Sequence, residues 1–447
     1  MQKKVLILSS LLIILSMLMV SCQPAVEAPA DEKPAVEEPA AESDDVVEIV
    51  IMRMAEGHDV ELELIEEFNA SHPNIRVIPD TVPANDMYPK LVLTSEAQQA
   101  PDIFMTFWTL GAASNGLALN LDPYIEKEGE DWYNLYHEGG WIFHKWAGSH
   151  YAVPWRVALA SVFLNTNLLE EAGLDTPPND WTWEDYIDYA NAMTDPDKNQ
   201  WGICQMGSAE DPGTDYQFYS FLFQAGGKMI NDEGLAGFNT PEGIEALQFM
   251  VDFIASYMVP PGTTAATANV CHDLLAADKA GSWIDASLWS GIIRNIHPDA
   301  EITTVPVPSH KRSAALIGGT GLGISATSKH PDEAWEFIKF MISDESMIRW
   351  AEALGFTPPN IKLLTEHPTY AEDEEQQRVF WGMDNQKLYP LSGYPSNAEL
   401  ESILRSYLQA AYLGEIPPEE ALAGAEVEWN EILQQYQDLD WWQAWQD

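Results

Sequence analysis

Val47 to Pro79, VEIVIMRMAEGHDVELELIEEFNASHPNIRVIP, is the stretch that decides the fold. Val47 to Met52 is a short apolar run of strand type. Asp59 is placed to cap a helix on which Leu62, Leu64, Ile65 and Phe68 form one apolar face, and His72-Pro73 stops it before a second strand, Ile75 to Ile78. The same strand, helix, strand grammar returns in Met87 to Ala97 followed by Asp102 to Met105. Further along, strands are expected around Val162 to Leu164, Gly281 to Ile284 and Gly321 to Ser325. Helices are expected at Trp183 to Met193, Pro241 to Ser256, Pro331 to Ile342 and Asn397 to Leu413. Alternation of this kind predicts an α/β protein with a mostly parallel sheet, helices on both faces and a ligand crevice at the C-terminal ends of the strands.

Working back from Val47, the chain opens with Lys3 and Lys4 and then a 16-residue run, Val5 to Val20, broken only by Ser9, Ser10 and Ser16. The run is shorter than the roughly 20 apolar residues that span a bilayer comfortably, so a cleaved export signal over residues 1–21 is expected. Met19-Val20-Ser21-Cys22 resembles a bacterial lipobox, with Met19 where Leu is usual, which implies acylation of Cys22 and attachment to the membrane from outside the cytoplasm. Pro24, Pro29, Pro34 and Pro39 then recur every five residues among acidic side chains, so residues 22–46 read as an extended, unfolded tether.

Composition narrows the function. With 22 Lys and Arg against 70 Asp and Glu the net charge is −48. That balance repels nucleic acid and anionic lipid surfaces, both of which are bound through clustered cations. Beyond Cys22 the chain has Cys204 and Cys271. An oxidising location permits them to pair, but two buried free thiols are the expectation. No Cys or His spacing suggests a metal site, and no cofactor is implied. Seventeen Trp and sixteen Tyr suit a carbohydrate ligand, because aromatic faces cover the apolar C–H faces of sugar rings while polar neighbours take the hydroxyls. Most of these rings must serve cores. Trp183, Trp335 and Trp350 lie on helical patterns and are read as packing.

Pro101-Asp102-Ile103-Phe104, Tyr151-Ala152-Val153-Pro154 and Phe163-Leu164-Asn165 resemble, in order, segments of family 1 extracellular solute-binding proteins of ABC importers, the maltose-binding-like class. Glu170-Glu171-Ala172-Gly173-Leu174, Trp181-Thr182-Trp183-Glu184, Gln224-Ala225-Gly226-Gly227, Gly281-Ser282-Trp283, Gly318-Gly319, His330-Pro331-Asp332-Glu333-Ala334-Trp335 and Pro418-Glu419-Glu420-Ala421-Leu422 continue the likeness. Ala277-Asp278-Lys279 departs from it, since the family more often has Gly before that Lys.

The resemblance implies a periplasmic-binding-protein-like fold of two discontinuous α/β lobes joined by a three-crossing hinge, with the ligand in the cleft between them. The crossings fall near Ala158 to Val162, Thr303 to Pro306 and Gly355 to Pro359. Lobe 1 is then 47–158 plus 306–356, and lobe 2 is 159–305 plus 357–447. It also implies a non-enzymatic monomer that closes on a mono- or oligosaccharide and passes it to the transmembrane subunits of an ABC permease. The ligand-binding residues expected are Trp283, at the Gly-x-Trp position where the family commonly stacks a sugar, and Tyr216. Trp108 lies in the loop after the third strand, and Trp155 and Arg156 follow the crossover Pro154. Glu56 and His58 occupy the first strand-to-helix loop, Gly319 and Thr320 offer backbone near the cleft, and Tyr394 completes the set. Ala158 stands where maltodextrin binders place a carboxylate, and a methyl group cannot accept a hydroxyl, so a different sugar or register is expected. Two alternatives remain: a secreted glycoside hydrolase, which needs two carboxylates flanking a cleft about 5 to 9.5 Å apart, and a ligand-sensing binding protein that serves a membrane receptor.

Overall fold

The computed structural model describes residues 46–55, 59–391, 394, 396–439 and 441–442. The signal segment, the tether with Cys22, and the site candidates Glu56 and His58 lie outside the described residues. Ten strands are present among those described: β1 Val47–Met54, β2 Ile75–Val82, β3 Ile103–Thr106, β4 Lys145–Trp146, β5 Ser149–His150, β6 Val153–Asn165, β7 Ser282–Ala286, β8 Ile302–Pro306, β9 Ala314–Ile324 and β10 Lys387–Pro390. β4 and β5 form a small hairpin. The others make one sheet in the order β2-β1-β3-β9-β6-β7, with β8 added to β6 and β10 to β9.

The opening stretch folds as its pattern requires. β1 lies parallel to β2, and the helix Asp59–Ser71 between them buries Leu64, Ile65 and Phe68. Asp59 is the first helical residue, not the cap. Glu61 of this helix is also buried, which its charge would forbid without partners. It has two: the Arg53 Nε donates at 2.8 Å and the Trp350 indole at 3.2 Å.

The sheet is mixed, which corrects the expectation of a mostly parallel one. β1 is parallel to β2 and β3, and β10 to β9, but β9 runs antiparallel to β3 and β6, and β6 antiparallel to β7 and β8. The reason lies in two long strands that return through the middle of the molecule. All thirteen residues of β6 are buried, as in a strand covered on both faces. Its first part, from Val153 to Leu159, pairs with β9, and its second, from Ala160 to Asn165, with β7 and β8. The register slips between Pro154 and Arg156, where proline has no N–H to give to the ladder.

Apolar side chains gather into two large cores that meet on these strands. One contains Ile49, Phe68, Phe104, Trp141, Trp155, Leu322, Phe337, Trp350 and Leu364. The other contains Val157, Leu164, Tyr186, Phe218, Ile284, Ile317, Val379, Leu400 and Trp429, and it also takes in Trp441. β6 passes from the first to the second between Trp155 and Val157, and β9 passes back between Ile317 and Leu322. At this crossing Val157 N donates to Thr357 O at 3.0 Å, so a third segment runs alongside. A smaller cluster, with Phe163, Met206, Leu275, Trp283 and Ile293, surrounds Cys204 and Cys271. These two cysteines form a disulfide with Cα atoms 5.4 Å apart, which overturns the expectation of free thiols. The residues 67 apart in sequence meet because Cys204 bridges to Trp283 of β7 while Cys271 lies on the buried face of the helix Ala268–Ala276.

Candidate functional site

Two polar groupings stand along β6 near the junction of the cores. The first is built on Arg156. Its Nε donates to the Thr320 Oγ1 at 2.6 Å, its other end reaches the Met54 sulfur at 3.8 Å, and its guanidinium lies over Trp350 and Phe356 at 5.1 and 4.9 Å from the ring centres. Burial pulls its pKa down to about 10, against the raising influence of Glu61, so the cation persists at neutral pH. Aromatic faces give such a cation an attraction that survives desolvation. Gly319, at φ +146°, makes the close approach of β6 possible: a Cβ there would sit 2.0 Å from the Arg156 carbonyl oxygen.

The second grouping is built on Asp285, the fourth residue of β7. Burial is the main cause raising its pKa to about 7. The Ala286 N–H donates to it at 2.6 Å and opposes the rise, as does the neighbouring Trp289 side chain more weakly, while the charge of Asp211 adds to it. Tyr216 is buried near the same carboxyl group, and burial first, then Asp285, holds its hydroxyl protonated. Trp289 opens the helix Trp289–Ile296 and is half-buried. Leu288 beside it packs on both cores, and a Cβ on Gly355 would be 3.3 Å from the Gly291 Cα, so this loop lies where the two cores touch. Asp285 pairs with Ser161, five residues along β6 from Arg156. At roughly 3.3 Å per residue the two groupings are about 16 Å apart along the strand.

The expected residues distribute unevenly over this geometry. Arg156, Thr320, Gly319 and Trp155 come together, although Trp155 is buried against Trp350, with ring centres 4.5 Å apart. Tyr216 belongs to the Asp285 grouping. Trp108 is half-buried at the end of β3, between Tyr88 at 5.1 Å and Phe107 at 5.4 Å, and Phe107 is exposed. Trp283 is not in a loop: it is the second residue of β7, with no exposed surface, packed 5.4 Å from both Phe163 and Trp289. Tyr394 is buried elsewhere, where its hydroxyl meets the Tyr219 hydroxyl at 3.2 Å and donates to the Glu401 carboxylate at 3.3 Å. The residues that sequence reasoning passed over are Asp285 and Trp289. Their signal was present in Trp283-Ile284-Asp285-Ala286-Ser287-Leu288-Trp289, since a strand covered on both faces hides its own Trp and offers the one beyond its C-terminal end. A cavity of about 460 Å³ also opens between the helices Trp183–Ala192 and Pro241–Ala255. Its Trp183 ring is already stacked between Phe249 at 4.0 Å and His310 at 4.3 Å, so neither face is free.

Residues 56–348 match the family model of the bacterial extracellular solute-binding proteins. The chain belongs to that family. Among relatives in the family, it is 23% identical over 357 residues to the arabinooligosaccharide-binding protein of Halalkalibacterium halodurans, covering 74% of this chain and 76% of that one. The fold is shared with the sugar-binding protein MalE of Xanthomonas citri, with a TM-score of 0.76, 19% identity and coverage of 88% and 99%. An ABC transporter solute-binding protein of Thermotoga lettingae bound with α-D-tagatose gives a TM-score of 0.74 at 23% identity, covering 87% and 100%. The architecture is therefore the two-lobed α/β fold of this family, and a helix long and apolar enough to cross a membrane is absent among the described residues.

Proposed function

We propose that this solute-binding protein takes a neutral carbohydrate at the junction of its two cores and delivers it to the membrane-spanning subunits of an ABC permease. The observation that carries the reading is Trp289. Its ring is held by packing, with its centre 5.4 Å from Trp283 and 5.6 Å from His272, and it stays half-buried at a loop that packs on both cores. A fixed aromatic face beside Tyr216 and Asp285 offers a sugar ring both an apolar wall and hydroxyl partners. Arg156 and Thr320 supply donors on the other side of the crossing. The carbohydrate ligands named for the relatives support the same class. A ligand touching both cores stabilises the closed arrangement over the open one, and this difference is what a permease can read. The lobes of this reading are the two cores, with β6, β9 and the segment at Thr357 as crossings.

The protein acts as a monomer without catalysis, held at the outer face of the membrane by acylated Cys22, as the lipobox-like Met19 to Cys22 supports. Calorimetry against mono- and oligosaccharides, with polyamines and glycerol phosphates as controls, tests the ligand class. Trp289→Ala is expected to weaken the carbohydrate found at least tenfold, about 1.4 kcal/mol, and the sugar is recovered uncleaved. A folded Trp289→Ala protein of unchanged affinity, or binding confined to the control solutes, refutes the reading.

A further inference from the structure

A third group of polar side chains lies behind Trp289, on the outer side of the helix that it opens. His272 and Asp273 are neighbours on the helix Ala268–Ala276, and His297 caps the C-terminal end of the helix Trp289–Ile296. One ligand-capable atom from each of the three lies within 4.8 Å of the other two. The Asp273 Oδ1 is 3.1 Å from the His272 Nδ1 and 2.9 Å from the His297 Nε2. Around a tetrahedral zinc ion with bonds of about 2.0 to 2.2 Å, neighbouring ligand atoms sit about 3.3 to 3.6 Å apart, so the observed 2.9 and 3.1 Å need to open by only about half an ångström to admit such an ion.

The protonation pattern points the same way. The Nε2 of His272 faces the Asn269 Oδ1 at 3.3 Å, which accepts the ring proton in the tautomer that carries it on Nε2. That leaves a lone pair on Nδ1, and this atom is buried with no hydrogen-bond partner. Its nearest polar neighbour is the Asp273 carboxylate, which is also an acceptor and also bears lone pairs. In this tautomer two acceptors face each other at 3.1 Å, and a cation between them, a proton in the empty site or a metal ion in the filled one, relieves the repulsion. A ring whose far nitrogen is held by an oxygen acceptor is the usual arrangement of a metal-bound histidine. Asp273 and, in part, His297 are open to solvent, which provides an entry path and room for a water ligand.

We propose that His272 Nδ1, the Asp273 carboxylate and His297 Nε2 bind one divalent transition-metal ion, zinc being the type. The three come from two helices, and His297 is 24 residues beyond Asp273, so no compact motif marks them in the sequence. The ion would staple the helix Ala268–Ala276 to the end of the helix that begins with Trp289.

The test uses untagged, full-length protein stripped with a chelator and then titrated calorimetrically with zinc chloride. One equivalent is expected to bind. His297→Ala and Asp273→Asn are each expected to lose at least tenfold in affinity, while His310→Ala, whose ring pairs with Glu245 at 3.1 Å in another part of the fold, keeps it. Cobalt bound in place of zinc should show visible absorption bands that vanish in Asp273→Asn, a substitution at an exposed position that leaves the fold intact. No saturable binding, unchanged affinity in both ligand variants, or an equal loss in His310→Ala overturns the proposal.

Discussion

Replacing Asp285 by Asn removes a carboxyl group that folding forces to hold a proton. In the unfolded chain an aspartate titrates near about 3.9, whereas in the folded protein burial, reinforced by Asp211, raises Asp285 to about 7. A folded-state pKa above the unfolded one contributes stability that is complete below about pH 4 and is lost as the pH rises through about 7. Each pH unit of that window is worth about 1.4 kcal/mol, so roughly three of them make about 4 kcal/mol. Asn has nearly the same shape, keeps an oxygen for the Ala286 N–H, and does not titrate. Denaturant unfolding of the two proteins at pH 4, 5.5, 7 and 8 reads the effect directly. The stability of Asp285→Asn relative to the parent should improve by about 4 kcal/mol from the acid end to the alkaline end, with most of the change above pH 5. Parallel profiles would mean that the carboxyl group is solvated in the folded state, and the account of Asp285 as a buried acceptor beside Tyr216 would fall with it.

Trp283→Ala is expected to act on stability: emptying a fully buried indole site costs about 3 to 5 kcal/mol, seen as an earlier denaturation midpoint, and a variant of unchanged midpoint that has lost only its ligand would reverse the placement. Reducing Cys204–Cys271, or replacing both residues with Ser, opens a loop of 67 residues, for which chain entropy gives about 4 kcal/mol; a melting temperature insensitive to reductant would contradict this.

The fold was legible where periodicity was strong. The helix Asp59–Ser71 and its flanking strands follow from alternating apolar spacing, and the later helices lie within a residue or two of the positions their patterns suggest. Strand direction was not legible, because the mostly apolar, covered runs of β6 and β9 look the same in either sense. The disulfide was hidden for a related reason: only the bridge between Cys204 and β7 brings the two thiols together. In the proposed site, Arg156, Thr320 and Tyr216 were legible as candidates, since a charge or hydroxyl beside a crossover stands out. Trp283 misled because an indole next to Gly281 reads equally well as a loop platform or as the filling of a strand, and only burial on both faces decides.

β6 is common to both halves of the molecule, bonded to β9 at its beginning and to β7 and β8 at its end. On the proposed reading, rotation of one half against the other is taken up where the bonding partners of β6 change over, from Val157 to Ala160, together with the crossings at β9 and Thr357. These units cannot slide, since the ladder on either side holds them, so they can only twist. A joint of this kind, ordered by ladder bonds on either side, would confine the proposed opening and closing to a twist of the shared strands.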